Sequence, residues 1–473
     1  MNSAPAHRDL RAVDPDRVSE LRHVIGMAVP LVITVSTRMI MDVTDYVMIS
    51  WLSSDAQAAL LPAQLTIFTY SVLGMGVLAL VNTLVAQNLG RGRNADCSAY
   101  AWQGLYLTVF FAGLGCLLWP VLPTLIHTIN HEAAVQVLEL GYTRAAVWTI
   151  GPTLAGAALS GFFNGIHRPM VTMWSAVEAV VINALVGYGL IFGAWGLPEM
   201  GIVGAAYGTL AGTVYRTVRL LWAMCTPAYH AQFASRRTWR FDWVKIKTLL
   251  RTGGPTGLQW ASDVLVWWAF VNILVGRFFG TLHLIASNTA WQYMRIAFMP
   301  CIGLGMAATA LVGKTIGRGD KPRAIRLTRI VVLLTCAYTG LFTLIYLFGG
   351  AWLISLLNHD PEVIRIGGGV MICAALFQLF DGLGIAYNSA LRGAGDTFWP
   401  AMLFVGSHWV ILIGGGCAVT HYKPEWGSVG PWMAAALLLA FIGLALGWRW
   451  HSRKWMTIDL FGEAGAVIRP AGS

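Results

Sequence analysis

The chain has 473 residues, of which 56% are hydrophobic and 11% are charged, and its formal net charge is +10. Soluble domains carry about 25% charged residues, so the composition excludes a soluble protein, and the hydrophobic content excludes intrinsic disorder. We therefore predict an integral membrane protein whose basic excess lies in loops beside lipid headgroups, with no need for a nucleic-acid partner.

Twelve apolar runs follow one another along the chain. Each is about 20 residues or more, which is long enough to cross the hydrocarbon core of a bilayer as a helix. They are continuous, unlike the alternating segments of about ten residues that build a transmembrane barrel. The predicted fold is therefore an all-α integral membrane protein. The predicted spans are residues 24–47, 59–85, 98–119, 136–160, 170–193, 202–223, 250–275, 284–311, 329–349, 366–389, 399–420 and 430–449.

The basic residues predict the orientation of these spans. Of the 32 lysines and arginines, 26 lie on the side that holds the N-terminus, four on the other side and two inside spans. By the positive-inside rule, we expect a multi-pass protein of the cytoplasmic (inner) membrane with both termini in the cytoplasm. The predicted regions are an N-terminal tail (1–23), an N-lobe (24–223), a basic cytoplasmic connector (224–249), a C-lobe (250–450) and a C-terminal tail (451–473).

The two halves of the chain repeat each other at a nearly constant offset. Three ordered pairs carry the repeat: Pro30 with Pro255, Leu89–Gly92 with Ile316–Gly319, and Gly201–Gly204 with Gly427–Gly430. Six helices in each half is an even number, so both halves share one orientation and are related by an axis along the membrane normal. We therefore predict two pseudo-symmetric six-helix bundles around a central cleft, which is the architecture of alternating-access carriers.

Five acidic residues lie inside predicted spans, where an ionised group costs at least about 2.5 kcal/mol on insertion scales. They are Asp42, Asp45, Glu178, Asp263 and Asp381. A carboxylate in such surroundings can hold a proton or exchange it for a cation, so these residues are candidates for exchange of H⁺ or Na⁺. The alternative for each is a structural ion pair or hydrogen bond.

Local partners separate the five acids. Arg38 is four residues before Asp42, so the two can pair on one helix face. Asp263 and Asp381 have no basic residue within one turn of their own helices, and we expect them to remain unpaired and to exchange cations, together with Asp45. Glu178 could have either role, and Arg295 could neutralise one of the acids.

Polar and aromatic residues near the second-half acids are candidates for the substrate cleft, because aromatic faces can stack on a cationic ligand. These candidates are Gln259, Trp260, Trp267, Asn288, Gln378 and Phe380. We interpret His408 as a packed histidine, and Gly204, Gly208 and Gly212 as a face for close helix contact. No soluble segment is long enough for an ATPase domain, so we expect an ion gradient to supply the energy, with no cofactor besides the coupling ion and no structural metal.

Several of these residues resemble a known family. Pro30 is followed fifteen residues later by Asp45 in Val43–Met48, Pro255 is followed by Asp263, and Asp381 precedes the glycine-rich Leu391–Thr397. This pattern, over roughly residues 20–450, resembles the multidrug and toxic compound extrusion (MATE) family, specifically its NorM-type bacterial branch.

The resemblance implies two lobes with a V-shaped cleft and efflux of cationic, lipophilic compounds against inward H⁺ or Na⁺. It also implies a cation site in the second lobe, at Asp263 and Asp381, where Na⁺ could bind transiently. This branch usually carries Glu at the position of Asp263. A sister branch named for DinF has an Asp one turn after a helix-5 Asn; this chain has Asn183 but Gly187, so we do not expect an N-lobe site of that design.

The sequence therefore predicts a monomeric antiporter for organic cations or lipophilic compounds, and not an enzyme. Two alternatives stay open. A flippase for lipid-linked saccharides would share this architecture but would be expected to show a cationic cleft. A membrane-embedded enzyme acting on lipid would be supported by clustered histidines or paired acids at the membrane surface.

Overall fold

Helices occupy every predicted span in the computed structural model, which describes residues 15–117, 119–129 and 132–461. Within these residues there is no β-strand. The first fourteen residues of the predicted N-terminal tail and residues 462–473 of the predicted C-terminal tail lie outside the described part of the chain. The predicted all-α fold is confirmed.

Twelve long helices form the body of the protein, and most extend beyond the apolar runs that predicted them because their polar end turns remain helical. Those of the first half are α1 (Pro15–Ser50), α2 (Ser54–Gly90), α3 (Asn94–Cys116), α4 (Ala133–Gly165), α5 (Pro169–Phe192) and α6 (Ile202–Met224). Those of the second half are α7 (Trp243–Arg277), α8 (Thr281–Gly317), α9 (Lys321–Leu357), α10 (Pro361–Ala394), α11 (Phe398–Tyr422) and α12 (Val429–His451).

Ten of these helices are long and apolar enough to cross a membrane by length and composition, judged over the described residues. The other two, α3 and α6, have 23 residues each, which is also sufficient length for a span. Two short helices lie in the connections, Leu122–Ile129 after α3 and Pro227–Phe233 in the predicted connector. The chain is therefore a multi-pass membrane protein.

Each half of the chain has its own hydrophobic core. Phe162 lies in the N-lobe core and Trp432 in the C-lobe core, and both are fully buried. A third cluster joins the lobes, because Leu31 of α1 packs in one cluster with Leu311 of α8. The two six-helix bundles predicted from the repeat are thus present and packed against each other.

Paired glycines confirm that the repeat extends to the backbone. Gly92 and Gly319 close equivalent turns with φ of 75° and 79°, and Gly201 and Gly427 precede α6 and α12 with φ of 55° and 54°. These left-handed conformations are unfavourable for residues with a Cβ, which explains why glycine recurs at both positions.

The two lobes contact each other on the side that holds the N-terminus. The Thr83 hydroxyl donates to the carbonyl oxygen of Arg392 at 3.1 Å, and the Gln87 amide donates to the carbonyl oxygen of Gly393 at 2.9 Å. In the described part of the chain, the other hydrogen bonds between the lobes lie on this same side. The cleft between the lobes therefore opens toward the opposite face.

Two helices of the C-lobe contain π-helical segments that contact each other. They are Phe270–Arg277 in α7 and His408–Gly415 in α11. Because π-helical turns often occur at functional sites, these segments direct attention to the side chains beside them.

Candidate functional site

A carboxylate–imidazole pair lies between α7 and α11 of the C-lobe. The Nε2 atom of His408 is 2.9 Å from Oδ1 of Asp263. The histidine side chain is 2% exposed, whereas that of Asp263 is 43% exposed. The expectation that Asp263 has no basic partner is therefore wrong, since its partner comes from another helix. The interpretation of His408 as a packed histidine is correct for its burial but misses this contact.

The two ring nitrogens of His408 face different acceptors. Its Nδ1 lies 2.8 Å from the carbonyl oxygen of Phe404, which can only accept, so this contact is a hydrogen bond in the tautomer that carries a hydrogen on Nδ1. If the ring were neutral and Asp263 ionised, the Nε2 lone pair would face a carboxylate lone pair across 2.9 Å. The geometry therefore fits a pair that holds one further proton, either as imidazolium with carboxylate or as neutral imidazole with carboxylic acid.

Asp381 of α10 belongs to the same group of charges. It lies within electrostatic range of Asp263 and His408 and has no hydrogen bond or ion pair in the described part of the chain. Gln378, one turn earlier on α10, is 1% exposed, and its amide nitrogen has no hydrogen-bond partner among the described residues. The candidate site of the C-lobe thus contains a paired carboxylate (Asp263) and an unpaired one (Asp381). The amide of Gln378, one turn from Asp381, has an unsatisfied donor.

The other predicted cleft residues of the C-lobe have different surroundings. Trp267 belongs to an aromatic cluster, with its ring 5.0 Å from that of Trp291 and 6.1 Å from that of Trp432. The ring of Trp260 lies 5.5 Å from the guanidinium of Arg392, a distance typical of a cation–π contact. These contacts show that Trp267 and Trp260 already have partners within the protein.

Three further candidates differ in exposure. Gln259 is 5% exposed, Phe380 is partly buried, and Asn288 is exposed. Among them, Asn288 has the most exposed side chain.

In the N-lobe, Asp45 is held by two neutral donors and is 1% exposed. The Asn183 amide donates to Asp45 Oδ1 at 3.2 Å, and the Thr209 hydroxyl donates to Oδ2 at 3.0 Å. The sequence predicted no N-lobe site of the DinF design, because Gly187 stands where that design has an Asp one turn after Asn183. The close approach of α5 and α6 here depends on Gly208, because a Cβ at Gly208 would lie 2.7 Å from the Gly187 Cα.

The predicted ion pair on α1 is present. Arg38 Nε lies 3.1 Å from Asp42 Oδ1, with the two side chains 51% and 28% exposed. Arg295, in contrast, forms no ion pair with any acid in the described residues, so it does not neutralise the C-lobe carboxylates.

Glu178 lies on the outer face of the N-lobe, away from Asp45. It accepts a hydrogen bond from the Tyr215 hydroxyl at 3.0 Å and pairs with Arg219 at 3.5 Å. Its neighbours along α5 on the same stripe, Trp174 and Val181, are more than half exposed. Of the two roles considered for Glu178, cation exchange and a structural ion pair, the structure shows the ion pair, on the lipid-facing surface.

Sequence reasoning missed His408 and Thr209 as partners of the buried acids. A usable signal existed for Thr209, because the glycine face of α6 predicts a close approach to α5, which carries Asn183. For His408 the only signal is a single histidine in an apolar helix, which does not identify its partner.

Comparison with known proteins gives concordant matches in sequence. The family model described as MatE matches residues 30–189 and 263–414. The "Probable multidrug resistance protein NorM" of Rhizobium meliloti (strain 1021) is 30% identical over 445 residues, which cover 91% of this chain and 93% of that protein. A protein of the same name from Bradyrhizobium diazoefficiens is 28% identical over 429 residues, covering 88% and 90%.

Solved structures show the same fold. The structure titled "Outward-facing conformation of a multidrug resistance MATE family transporter of the MOP superfamily" superposes with a TM-score of 0.83 at 16% identity, covering 95% of this chain and 100% of that one. The structure titled "Crystal structure of MATE in the bent conformation" has a TM-score of 0.82 at 16% identity, covering 94% and 98%.

Proposed function

The chain belongs to the MatE family, and on that premise we propose that it is a secondary transporter that exports cationic or lipophilic small molecules in exchange for protons. It works by alternating access in the cytoplasmic membrane, with both termini in the cytoplasm. The names of the NorM relatives support multidrug export, and the basic loops on the side of the N-terminus support the orientation.

The observation that carries proton coupling is the pair of Asp263 with His408. The Phe404 carbonyl oxygen on one side and the carboxylate at 2.9 Å on the other both accept hydrogen bonds, which supports one proton shared between His408 and Asp263. Loss of that proton leaves one ring nitrogen facing an oxygen without a hydrogen between them, so the contacts of His408 weaken unless a cation enters. Protonation is thereby linked to the packing of two helices.

This linkage supplies the unequal affinity that coupling requires. A ligand shifts an equilibrium between two conformations only if it binds one of them better. In the proposed orientation the described cleft faces outward, so a proton from outside fills the pair in this state. Asp381 lies within electrostatic range of the pair, and a cationic substrate and the proton therefore compete for the same group of negative charges.

Na⁺ is the second candidate for the coupling ion, because Asp381 has no partner in the described part of the chain and oxygen ligands suit hard cations. The proton is favoured because a ring nitrogen of His408 already faces Asp263. The same C-lobe group has two carboxylates and one imidazole, which favours organic cations as substrates over the lipid-linked saccharides that a cationic cleft would bind.

The proposal is tested with purified protein in vesicles that contain a fluorescent organic cation. We expect an imposed inward proton gradient, and not an equal Na⁺ gradient, to drive dye movement, and Asp263→Asn to abolish it. Glu178→Gln is the matched control, because it neutralises an intramembrane acid on the lipid-facing surface. Wild-type rates in Asp263→Asn, or dye movement driven by Na⁺ alone, would overturn proton coupling at this site.

A further inference from the structure

Arg392, in the last turn of α10, places its guanidinium against the ring of Trp260 on α7. The Cζ atom of Arg392 lies 5.5 Å from the centre of this ring, and both side chains are partly buried. Trp260 comes three residues after Gly257, which packs against α2 of the other lobe, and three residues before Asp263. Along α7, the covered ring therefore lies between the contact of the two lobes and the acid of the candidate site.

Two other arginines lie over tryptophan rings in the described part of the chain, and a carboxylate holds each of them. Arg219, 5.4 Å from one ring, pairs with Glu178 at 3.5 Å. Arg449, 5.3 Å from another ring, pairs with Asp396 at 2.7 Å. The side chain of Arg392, in contrast, forms no ion pair or hydrogen bond with any described residue. It can therefore leave its ring without breaking an ion pair.

The backbone that carries this guanidinium is held by the other lobe. The carbonyl oxygen of Arg392 accepts a hydrogen bond from the Thr83 hydroxyl at 3.1 Å, and that of Gly393 accepts one from the Gln87 amide at 2.9 Å. Both bonds join the lobes on the side of the N-terminus, so they are lost when the lobes separate there. The position of the guanidinium over Trp260 is thus tied to the described conformation, whose cleft opens toward the opposite face.

We propose that Arg392 is an internal cation that competes with the exported cation for the ring of Trp260, and so lowers the affinity of the outward-facing conformation for its substrate. A ring face attracts a cation through its quadrupole, and the face that Arg392 covers is closed to a second cation. Separation of the lobes on the cytoplasmic side frees the backbone of Arg392 and makes the ring available to an organic cation. This inference rests on the proposed export of cations, for which it names a residue that promotes release.

The test is a double-mutant cycle on the Kd of ethidium, an organic cation, measured by fluorescence polarisation in detergent. We expect Arg392→Gln to bind ethidium about 3- to 30-fold more tightly than wild type, because the uncovered ring supplies a cation–π contact. Trp260→Leu should weaken binding at least about threefold more in the Arg392→Gln background than in wild type, because the ring is then uncovered in both conformations.

Arg329→Gln is the matched control for loss of charge. Arg329 is an exposed residue of α9 in the same lobe, and among the described residues its guanidinium lies over no aromatic ring. This variant should therefore bind ethidium as wild type does. An equal gain in affinity in Arg329→Gln would mean that the lost charge, and not the uncovered ring, causes the gain, and would overturn the inference.

Two results of the cycle itself would also overturn the inference. One is an unchanged Kd in Arg392→Gln, and the other is a gain in affinity that persists in full when Trp260→Leu is added. If Arg392→Gln does not fold, as judged by its thermal transition, the same cycle with Arg392→Lys decides the question. An ammonium is more strongly hydrated than a guanidinium and competes less well for the ring, so this variant should still bind ethidium more tightly than wild type.

Transport in vesicles under a proton gradient separates this inference from the proposed function. Wild type should move ethidium, and its failure to do so would refute proton-driven export of cations while leaving the binding cycle measurable. If wild type moves ethidium but Arg392→Gln binds it no more tightly than wild type does, export stands and the competition at Trp260 is refuted.

Discussion

A single methyl group added at Gly76 should shift the protein away from the described conformation. Gly76 lies on α2 where it crosses α7 of the other lobe. A Cβ at this position would lie 2.6 Å from the Gly257 Cα, 2.9 Å from the Gly257 nitrogen and 2.9 Å from the carbonyl oxygen of Thr256. All three are backbone atoms, so no side-chain rotation relieves the overlap, and the lobes must separate to accommodate it.

The size of the effect follows from this geometry. Carbon atoms in favourable contact are about 3.5–4.0 Å apart, so the two helices must move by roughly 1 Å. Overpacking of this kind costs about 1–3 kcal/mol. If the cost applies only when the lobes are closed on the N-terminal side, the ratio of the two conformations changes by about 5- to 150-fold.

Spin labels on the two lobes measure this shift as a change in the distance distribution. Exposed positions on the N-terminal side are Arg237, in the connector after α6, and Lys321, at the start of α9. We expect Gly76→Ala to increase the population with a long distance between labels. Gly340→Ala is the matched control, because a Cβ there meets no atom within 4 Å. An unchanged distribution in Gly76→Ala, or an equal change in the control, would refute the reasoning.

Three other predictions concern stability and are checked by thermal or denaturant unfolding in detergent. Thr209→Val removes the donor to the buried carboxylate of Asp45 and should destabilise the protein by about 1–3 kcal/mol, whereas an unchanged transition would mean that this hydrogen bond is absent. Ser287→Ala leaves the buried indole N–H of Trp432 without its acceptor and should cost a similar amount, about 1–3 kcal/mol; a neutral result would contradict that contact. Burial lowers the pKa of His167 from 6.5 to about 3, so the unfolded chain binds a proton below pH 6.5 that the folded chain does not. Stability should therefore fall as the pH drops from 6.5 toward 3, and His167→Asn, which tolerates the φ of 61°, should weaken that dependence; an identical pH profile would contradict this.

The sequence predicted the helices well because bilayer thickness sets the length of an apolar run. Every predicted span became a helix, although residues 329–349 correspond to a longer helix, Lys321–Leu357. At the N-terminal end, the extension is a charged segment, residues 321–328, that remains helical outside the hydrocarbon core. The repeat was equally predictable, because Gly92 and Gly319 are required by the same backbone conformation.

Within the site, contacts between residues of one helix could be predicted from the sequence, and contacts between different helices could not. The Arg38–Asp42 pair follows from four-residue spacing on one helix. The partner of Asp263 could not be found in this way, because His408 lies on another helix, α11. The sequence of α7 does not show which face of α11 is turned toward Asp263. Thr209 also contacts its acid from another helix, but here the glycine face of α6 was a usable signal of close helix contact.

The central claim is that His408 and Asp263 together hold the transported proton. Proton movement by the His408→Gln variant tests this claim most directly. Glutamine can still hydrogen-bond to Asp263 but cannot share a titratable proton with it. With a pH-sensitive dye inside vesicles, we expect addition of an organic cation to change the internal pH in wild type and not in His408→Gln, while both bind the cation in detergent. Equal proton movement per substrate in the two proteins would contradict a proton held between His408 and Asp263.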